Sequence, residues 1–382
     1  MTERTPLLQR RSVLTGLGAG AALAAFIPIA RAAPTPRLVA LTSALRQPWG
    51  MAFLPDGHLL VTQKAGSMVI VPADGATVGE PLAGLPSVAA AGQGGLLDVA
   101  LDPDFASDPW VYFSFSEPGS GSEAGLAGTA VARGRLVGNG LRDVAVIFRQ
   151  APKVSGNGHY GSRLVFRGDK TLFVTLGDRQ KFSPAQDLAS HLGKVVRIQR
   201  DGSVPPDNPK LGANARPEIW SYGHRNVQGA ALHPQTGGLW ACEHGPQGGD
   251  EVNVVQAGRN HGWPLRSYGC HYGEAISERC AIGGGKHAPA FAEPATTWVP
   301  TSIAPSGLAF CTSDRIPEWR GQLFTGALAG HALWRIELAG ETVASRERLF
   351  AGANERIRCV TQGPDGWLYL LADSGKLLRV SR

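Results

Sequence analysis

The sequence predicts an all-β chain arranged as a propeller, and three observations carry that expectation. Hairpin signals recur along nearly all of the 382 residues; glycine and proline are abundant, at 50 and 27; and strong amphipathic helical periodicity is missing. Frequent turn residues between short apolar runs favour many short strands over a few long helices. Hydrophobic residues make up 43% of the chain, enough to bury a sizeable core and to exclude wholesale disorder.

The first segment reads as an export signal rather than as fold. Arg10 and Arg11 precede a Gly/Ala-rich apolar stretch over 14–30, and Ala30 and Ala32 bracket Arg31 as the small residues of a cleavage site after Ala32. Adjacent arginines ahead of a weakly hydrophobic stretch fit a twin-arginine signal, with an ordinary secretory signal as the alternative. A permanent anchor is disfavoured because the stretch is short, glycine-rich and ends in a cleavage site. No other segment is apolar enough to cross a bilayer, so no stable membrane span is expected. The organisation is a signal over 1–32 and a propeller over 33–382, placed in the periplasm or outside the cell.

Residues 33–46 read as a lead-in strand, and hairpins follow. Asp56-Gly57, Gly168-Asp169 and Asp365-Gly366 each sit between β-branched or apolar runs, and Gly237-Gly238 separates 231–234 from Leu239-Trp240. Such pairs supply the positive φ that tight hairpin turns require. About 350 residues at roughly 40–60 per four-stranded blade give six to eight blades. Good hairpins near both ends, at Pro55 and Pro364, suit a ring closed by pairing the terminal strands. Residues 184–192 are the one stretch with helical character.

The formal charge is +6, and residues 1–32 hold four arginines against one glutamate, which leaves +3 on the processed chain. So mild an excess, without any run of lysine or arginine, predicts no nucleic-acid partner. Of the five cysteines, Cys270 and Cys280 flank a short polar loop and are the expected disulfide in an oxidising compartment. Cys242, Cys311 and Cys359 read as small buried thiols.

Several loops hold more polar residues than turns require. His159 lies among glycines before a strand, Asp178 ends the next strand, and Arg225-Asn226 and 243–251 follow. Arg356 and Arg358, two apart, fall on one face of a strand. Removing a proton and a hydride needs a base, an acidic partner to orient it, and cations on the acceptor, and these residues are of the right types. Asp98, Asp178 and Asp250 are equally open to turn-capping roles, and a lone histidine in a glycine-rich loop to a packing role.

The ordered series 92–98, 157–166, 193–197, 207–209, 219–226, 243–253, 262–264 and 356–358 resembles the PQQ-dependent soluble aldose sugar dehydrogenases, relatives of soluble glucose dehydrogenase. The resemblance runs over the whole processed chain and implies six blades, one PQQ and bound calcium. It implies oxidation of an aldose at C1 to the lactone, with hydride passed to PQQ and electrons to an external acceptor, by a monomer or homodimer. By position, His159 matches the general base, Asp178 its acidic partner, and Arg225 the arginine beside the quinone oxygens. Gln93, Asn226, Tyr272, Arg356 and Arg358 match cofactor contacts. Gly245 and Pro246 match carbonyl ligands of the cofactor's calcium, Glu251 a ligand of a second calcium, and His261 a carbonyl ligand where relatives usually carry tyrosine. A histidine metal site at His244, His261 and His271 is disfavoured, since calcium prefers oxygen. One departure stands out: relatives place a lysine on the cofactor where this chain has Ala329. Either affinity is lower, or His331 or another cation compensates.

Two other readings are kept open: a calcium-dependent propeller hydrolase of the lactonase kind, and a non-catalytic binding propeller. The export reading has its own test. Arg10→Lys with Arg11→Lys blocks delivery to the periplasm, measured by fractionation and immunoblot, because that route reads the arginine pair. Unchanged delivery would assign the segment to the ordinary secretory route.

Overall fold

In the computed structural model, which describes residues 35–382, short strands fall into six antiparallel sheets set around a central axis as the blades of a β-propeller. The export segment read over 1–32 lies outside the described residues. Strand β1 (Arg37–Thr42) is the lead-in strand, and the first blade is β2 (Pro48–Phe53), β3 (Leu59–Gln63) and β4 (Ser67–Val71). The second is β5 (Leu96–Leu101), β6 (Trp110–Pro118), β7 (Ala127–Leu136) and β8 (Leu141–Arg149). The third is β9 (Leu164–Phe166), β10 (Leu172–Thr175), β11 (Lys194–Ile198) and β12 (Ile219–Tyr222). The fourth is β13 (Val227–Leu232), β14 (Leu239–Glu243), β15 (Asp250–Val255) and β16 (Thr296–Trp298). The fifth is β17 (Pro305–Phe310), β18 (Leu323–Ala327), β19 (Ala332–Ala339) and β20 (Thr342–Leu349). The sixth, β21 (Ile357–Gln362), β22 (Leu368–Ala372) and β23 (Leu377–Ser381), takes β1 as its outer strand.

All four hairpins expected from the turn signals form, and the ring closes as expected, with Arg37 opposite Ser381 and Val39 opposite Arg379. The first blade has no regular fourth strand; Gly79 and Leu82 N–H groups pair instead with the Ile70 and Met68 carbonyls at 2.9 and 2.8 Å. Large apolar side chains, such as Phe113 and Phe115 in the second blade and Trp240 and Leu308 between the fourth and fifth, fill the spaces between sheets.

The blades are joined by a repeated device. In five of the six, the register of the innermost strand slips near its start: Pro48/Met51, Leu96/Val99, Val227/Gly229, Ser306/Leu308 and Ile357/Cys359. A bulge withdraws a carbonyl from its own ladder and leaves it free to accept from a neighbour. Hydroxyls of the preceding blade use three of those carbonyls, and Ser114 reaches a further one just ahead of β9, where the register does not slip. Ser114 Oγ donates to Ser162 O at 2.7 Å, Thr175 Oγ1 to Val227 O at 3.2 Å, Ser306 Oγ to Arg358 O at 2.9 Å, and Thr62 Oγ1 to Leu97 O. Gly307 has φ +67°, and a Cβ there would lie 2.7 Å from Val360 N, so this close approach of two inner strands admits only glycine.

The axis is plugged by Arg163. Its Nη1 donates to Asp98 Oδ1 at 2.9 Å, Nε to Gln228 O at 2.7 Å and Nη2 to Arg358 O at 2.9 Å, and its guanidinium lies 4.1 Å from the centre of the Trp49 ring. The second oxygen of Asp98 accepts from Leu164 N at 2.9 Å. Asp98 is thus the buried counter-ion of an axial arginine and not a turn cap.

The helical character expected over 184–192 shrinks to one 3-10 turn, Ser183–Ala185. Lys194 Nζ is buried beneath this loop and donates to the Pro184, Ala185 and Leu192 carbonyls, which competes with helical pairing. Cys270 and Cys280 are disulfide-bonded with Cα atoms 5.0 Å apart, and Cys242, Cys311 and Cys359 are buried free thiols, as expected.

Truncating one partner of the axial pair leaves a buried, unpaired charge. Asp98→Ala lowers stability by about 3–5 kcal/mol, and Asp98→Ala with Arg163→Met by much less than the sum of the single effects. Denaturant titration of the three variants checks this; additive losses would show that the two side chains do not act as a pair.

Candidate active site

His159 stands just before β9 with φ 50°, a left-handed backbone rare outside glycine. Three contacts hold it there. Gln93 Oε1 accepts from His159 N at 2.8 Å, the imidazole Nδ1 lies 2.6 Å from Asp178 Oδ1, and Gly177 passes so close that a Cβ on it would sit 2.1 Å from His159 O. Asp178, at the end of β10, is fully buried and makes further bonds: Oδ1 accepts from Gln180 N at 2.8 Å and Oδ2 from Trp263 Nε1 at 2.7 Å. An ionised Asp178 in this setting accepts from Nδ1–H and leaves Nε2 as the basic nitrogen. Burial lowers the His159 pKa below its ordinary value; the Asp178 hydrogen bond opposes this and the Arg225 charge adds to it. His159 is therefore neutral and able to take a proton at neutral pH.

Arg225 follows β12 on the next loop. Its backbone N–H donates to Glu243 Oε2 at 2.7 Å and its Nη1 to His244 O at 3.1 Å, and its guanidinium faces the Trp263 and Tyr272 rings at 5.2 and 5.9 Å. Tyr272, next to the disulfide, is 72% exposed at the rim. Asn226 is buried, accepts from Gly161 N at 3.2 Å and lies 3.4 Å from His244 Nδ1, so it braces the His159 loop against the fourth blade. Burial, reinforced by Arg225, Arg358 and His159, pushes His244 down to about 3. Its Nε2 therefore carries the proton and donates to Pro305 O at 3.1 Å.

Beside these residues opens a cavity of about 390 Å³, lined by Gln93, Gln228, His244, Trp49, Ala304, Leu328 and Ala329, and by a charged set: Lys64, Arg356, Arg358 and Asp373. Asp373 Oδ2 and Oδ1 accept from Arg356 Nε and Arg358 Nε, both at 3.1 Å. Three cations against one carboxylate suit a polyanionic ligand. His331 does not line it; its Nδ1 lies 3.3 Å from Asn354 O.

Below Arg225 lies the 244–250 loop. Asp250 caps it, accepting from Gly245 N at 2.8 Å and from Ile303 and Ala304 N at 2.7 Å, and Pro246 O accepts from Ser302 Oγ at 3.3 Å. Gly245, Glu243, Glu251 and His261 border a pocket of about 10 Å³, room for one ion or water. Asn253 Nδ2 bridges Glu243 and Glu251 at 3.0 and 3.2 Å. Burial and the neighbouring Glu243 charge push Glu251 well above the carboxylate range. His261 stacks on His224 with ring centroids 4.3 Å apart, and His271 is exposed.

The structure thus brings His159, Asp178, Arg225, Gln93 and Asn226 into one network and Arg356, Arg358 and Ala329 around the adjoining cavity. Sequence reasoning missed Trp263 as the second side-chain donor to Asp178, gave Glu243 no role of its own within the polar stretch 243–251, and missed Lys64 and Asp373 altogether. Trp263 stood inside a recognisable Gly-Trp-Pro stretch, a signal that could have found it; Lys64 and Asp373 sit in turns, where charged side chains ordinarily face water.

Known proteins resemble this chain in sequence and fold over nearly the whole described length. The family described as glucose/sorbosone dehydrogenase matches residues 45–379. An aldose sugar dehydrogenase of Escherichia coli strain K12 is 44% identical over 359 residues, covering 92% of this chain and 94% of the relative. The crystal structure of a soluble aldose sugar dehydrogenase from Escherichia coli in the apo-form superposes with TM-score 0.84 at 42% identity, covering 91% of this chain and 99% of that one. The PQQ-bound form of an aldose sugar dehydrogenase from Streptomyces coelicolor superposes with TM-score 0.74 at 30% identity, covering 91% and 98%.

The His159 environment fixes the direction of its titration. In an NMR titration its midpoint falls below that of a free histidine, and in Asp178→Asn it falls further, because the one influence raising it is gone. A higher midpoint in the variant would contradict the assigned hydrogen bond.

Proposed function

Since the chain belongs to the glucose/sorbosone dehydrogenase family and is an oxidoreductase, we propose that it oxidises aldose sugars at C1 to lactones with PQQ and calcium. The observation that carries this reading is the His159–Asp178–Trp263 chain of hydrogen bonds set beside a cation-lined cavity. The donor set fits both groups. Lys64, Arg356 and Arg358 match a flat tricarboxylate, and Arg225 lies one hydrogen bond away through His244. The buried Glu243–Glu251 pair and the neighbouring carbonyls suit a hard oxygen-seeking cation. Glu251 and the His261 carbonyl would hold such an ion, and the Gly245 and Pro246 carbonyls the one beside the cofactor.

When bound, PQQ supplies the hydride acceptor and calcium the Lewis acid that polarises it. The protein's own part is proton transfer and orientation. His159 Nε2 takes the proton of the anomeric hydroxyl, and Asp178 keeps the tautomer and stabilises the imidazolium that results. Arg225 presents a fixed positive charge where negative charge develops. Tyr272, exposed at the rim, offers an aromatic face there, whereas Trp263 is buried and acts through its hydrogen bond to Asp178. Reducing equivalents pass on to an external acceptor, and residues 1–32 deliver the enzyme to the periplasm or exterior. A lactonase-like site would need carboxylates and amides around an axial metal; the axis here is closed by Arg163.

Apoprotein supplied with PQQ and calcium reduces a dye in the presence of several aldoses. His159→Ala lowers kcat by roughly 10²–10⁴ while PQQ affinity stays close to wild type. The acid limb of kcat/KM lies below the ordinary histidine range, since the base is neutral at unusually low pH. PQQ binding without dye reduction by any aldose would sink the reading.

A further inference from the structure

The cavity charges are unequally satisfied. Asp373 is shared between Arg356 and Arg358, through Nε of each at 3.1 Å and Nη2 of Arg358 at 3.3 Å. Arg356 Nη1 also donates to Leu328 O at 2.8 Å, and Arg358 Nη1 to Gln228 Oε1 at 3.1 Å. Lys64, on the turn after β3, is half-buried, and its Nζ donates to the Gly92 carbonyl. No ion pair joins it to a carboxylate among the described residues. Burial and the Arg358 charge lower its pKa, with Asp373 opposing, so a bound anion there relieves an unfavourable field.

Ala329 comes from the fifth blade and Lys64 from the first, and both line the same cavity. The backbone of the Ala329 segment is committed, with Ala329 N and Gly330 N both donating to Ile303 O at 2.9 Å. His331 is turned to Asn354 and is not part of the lining.

We propose that Lys64 is a cofactor-binding residue, and that its ammonium pairs with a PQQ carboxylate in place of the lysine that relatives carry at the Ala329 position. The inference rests on the cofactor reading above. The first blade then supplies an ammonium to the cavity and the sixth the two guanidinium groups. Because Lys64 also holds the Gly92 carbonyl, next to Gln93 and hence to His159, one side chain links the cofactor carboxylates to the loop that positions the base.

The test is equilibrium titration with PQQ at saturating calcium, at two or more salt concentrations, on full-length processed protein. Lys64→Met weakens binding by roughly 10- to 100-fold, as loss of a charged hydrogen bond does. Its log Kd also depends less on log salt than that of wild type, because one ionic contact is gone. Lys64→Arg stays within a few-fold of wild type. Lys64→Met with Ala329→Lys recovers most of the lost affinity, by restoring the ammonium from the other side. Wild-type affinity and salt slope in Lys64→Met would overturn the proposal. So would weakened binding with an unchanged salt slope and no recovery by Ala329→Lys, which would mark Lys64 as a support for the Gly92 turn alone. A wild-type protein that binds no PQQ would bring down the cofactor reading itself, an outcome distinct from a tight wild type indifferent to Lys64.

Discussion

The molecule depends on one buried guanidinium. Arg163 lies on the axis and reaches Asp98 in the second blade, Gln228 O in the fourth, Arg358 O in the sixth and the Trp49 ring in the first. An isolated charge in such a place is strongly unfavourable, and it is tolerated because a carboxylate and two carbonyls meet it with good geometry. Arginine suits the position because a planar fork can serve several directions at once, which a lysine ammonium on a flexible stem does less well. The same contacts fix the site. Arg163 is four residues from His159, and the carbonyl it holds belongs to Arg358, whose side chain lines the cavity. A shift of the axial arginine would move base and cation wall together.

Around this hub the backbone is held in conformations that non-glycine residues seldom adopt. His159, Ser162, Arg179, Gln180, Phe182 and Ala304 all have φ between 50° and 94°. Each such residue costs of order 1–3 kcal/mol and persists only where its surroundings over-determine it. The surroundings here are Gln93 on the His159 amide, Thr175 on the Ser162 amide at 2.6 Å, Asp178 on the Gln180 amide and Asp250 on the Ala304 amide. Such conformations also occur away from the site, at Asp143 within β8 and at Lys170 and Phe350 in turns, but six of them gather in the loops that shape it.

Hairpins and ring closure were legible because their signals are local: a turn pair between two apolar runs states its own geometry. His159, Asp178, Arg225, Arg356 and Arg358 were legible by residue type and by resemblance. The partners that make them work were not. Asp98 and Arg163 are 65 residues apart, Trp263 and Asp178 are 85 apart, and Arg163 and Arg358 are 195 apart. Local pattern carries no information at such separations. Lys64 and Asp373 were hidden for another reason, since each occupies a turn where a charged side chain ordinarily faces water. The expected helix over 184–192 failed because the buried Lys194 ammonium takes carbonyls that a helix would need, a competition visible only in three dimensions.

The pairing of β1 with β23 has a consequence for timing. The strand that completes the last blade is made before any other strand of the propeller, and its partner, with Arg37 opposite Ser381, after all of them. The ring therefore stays open until β23 has been made, and only then can the seam between the sixth and first blades be sealed. The cavity straddles that seam, with Trp49 and Lys64 from one side and Arg356, Arg358 and Asp373 from the other. A ligand held across it acts as a clasp: its binding free energy adds directly to that of closure, and opening the ring first requires letting the ligand go.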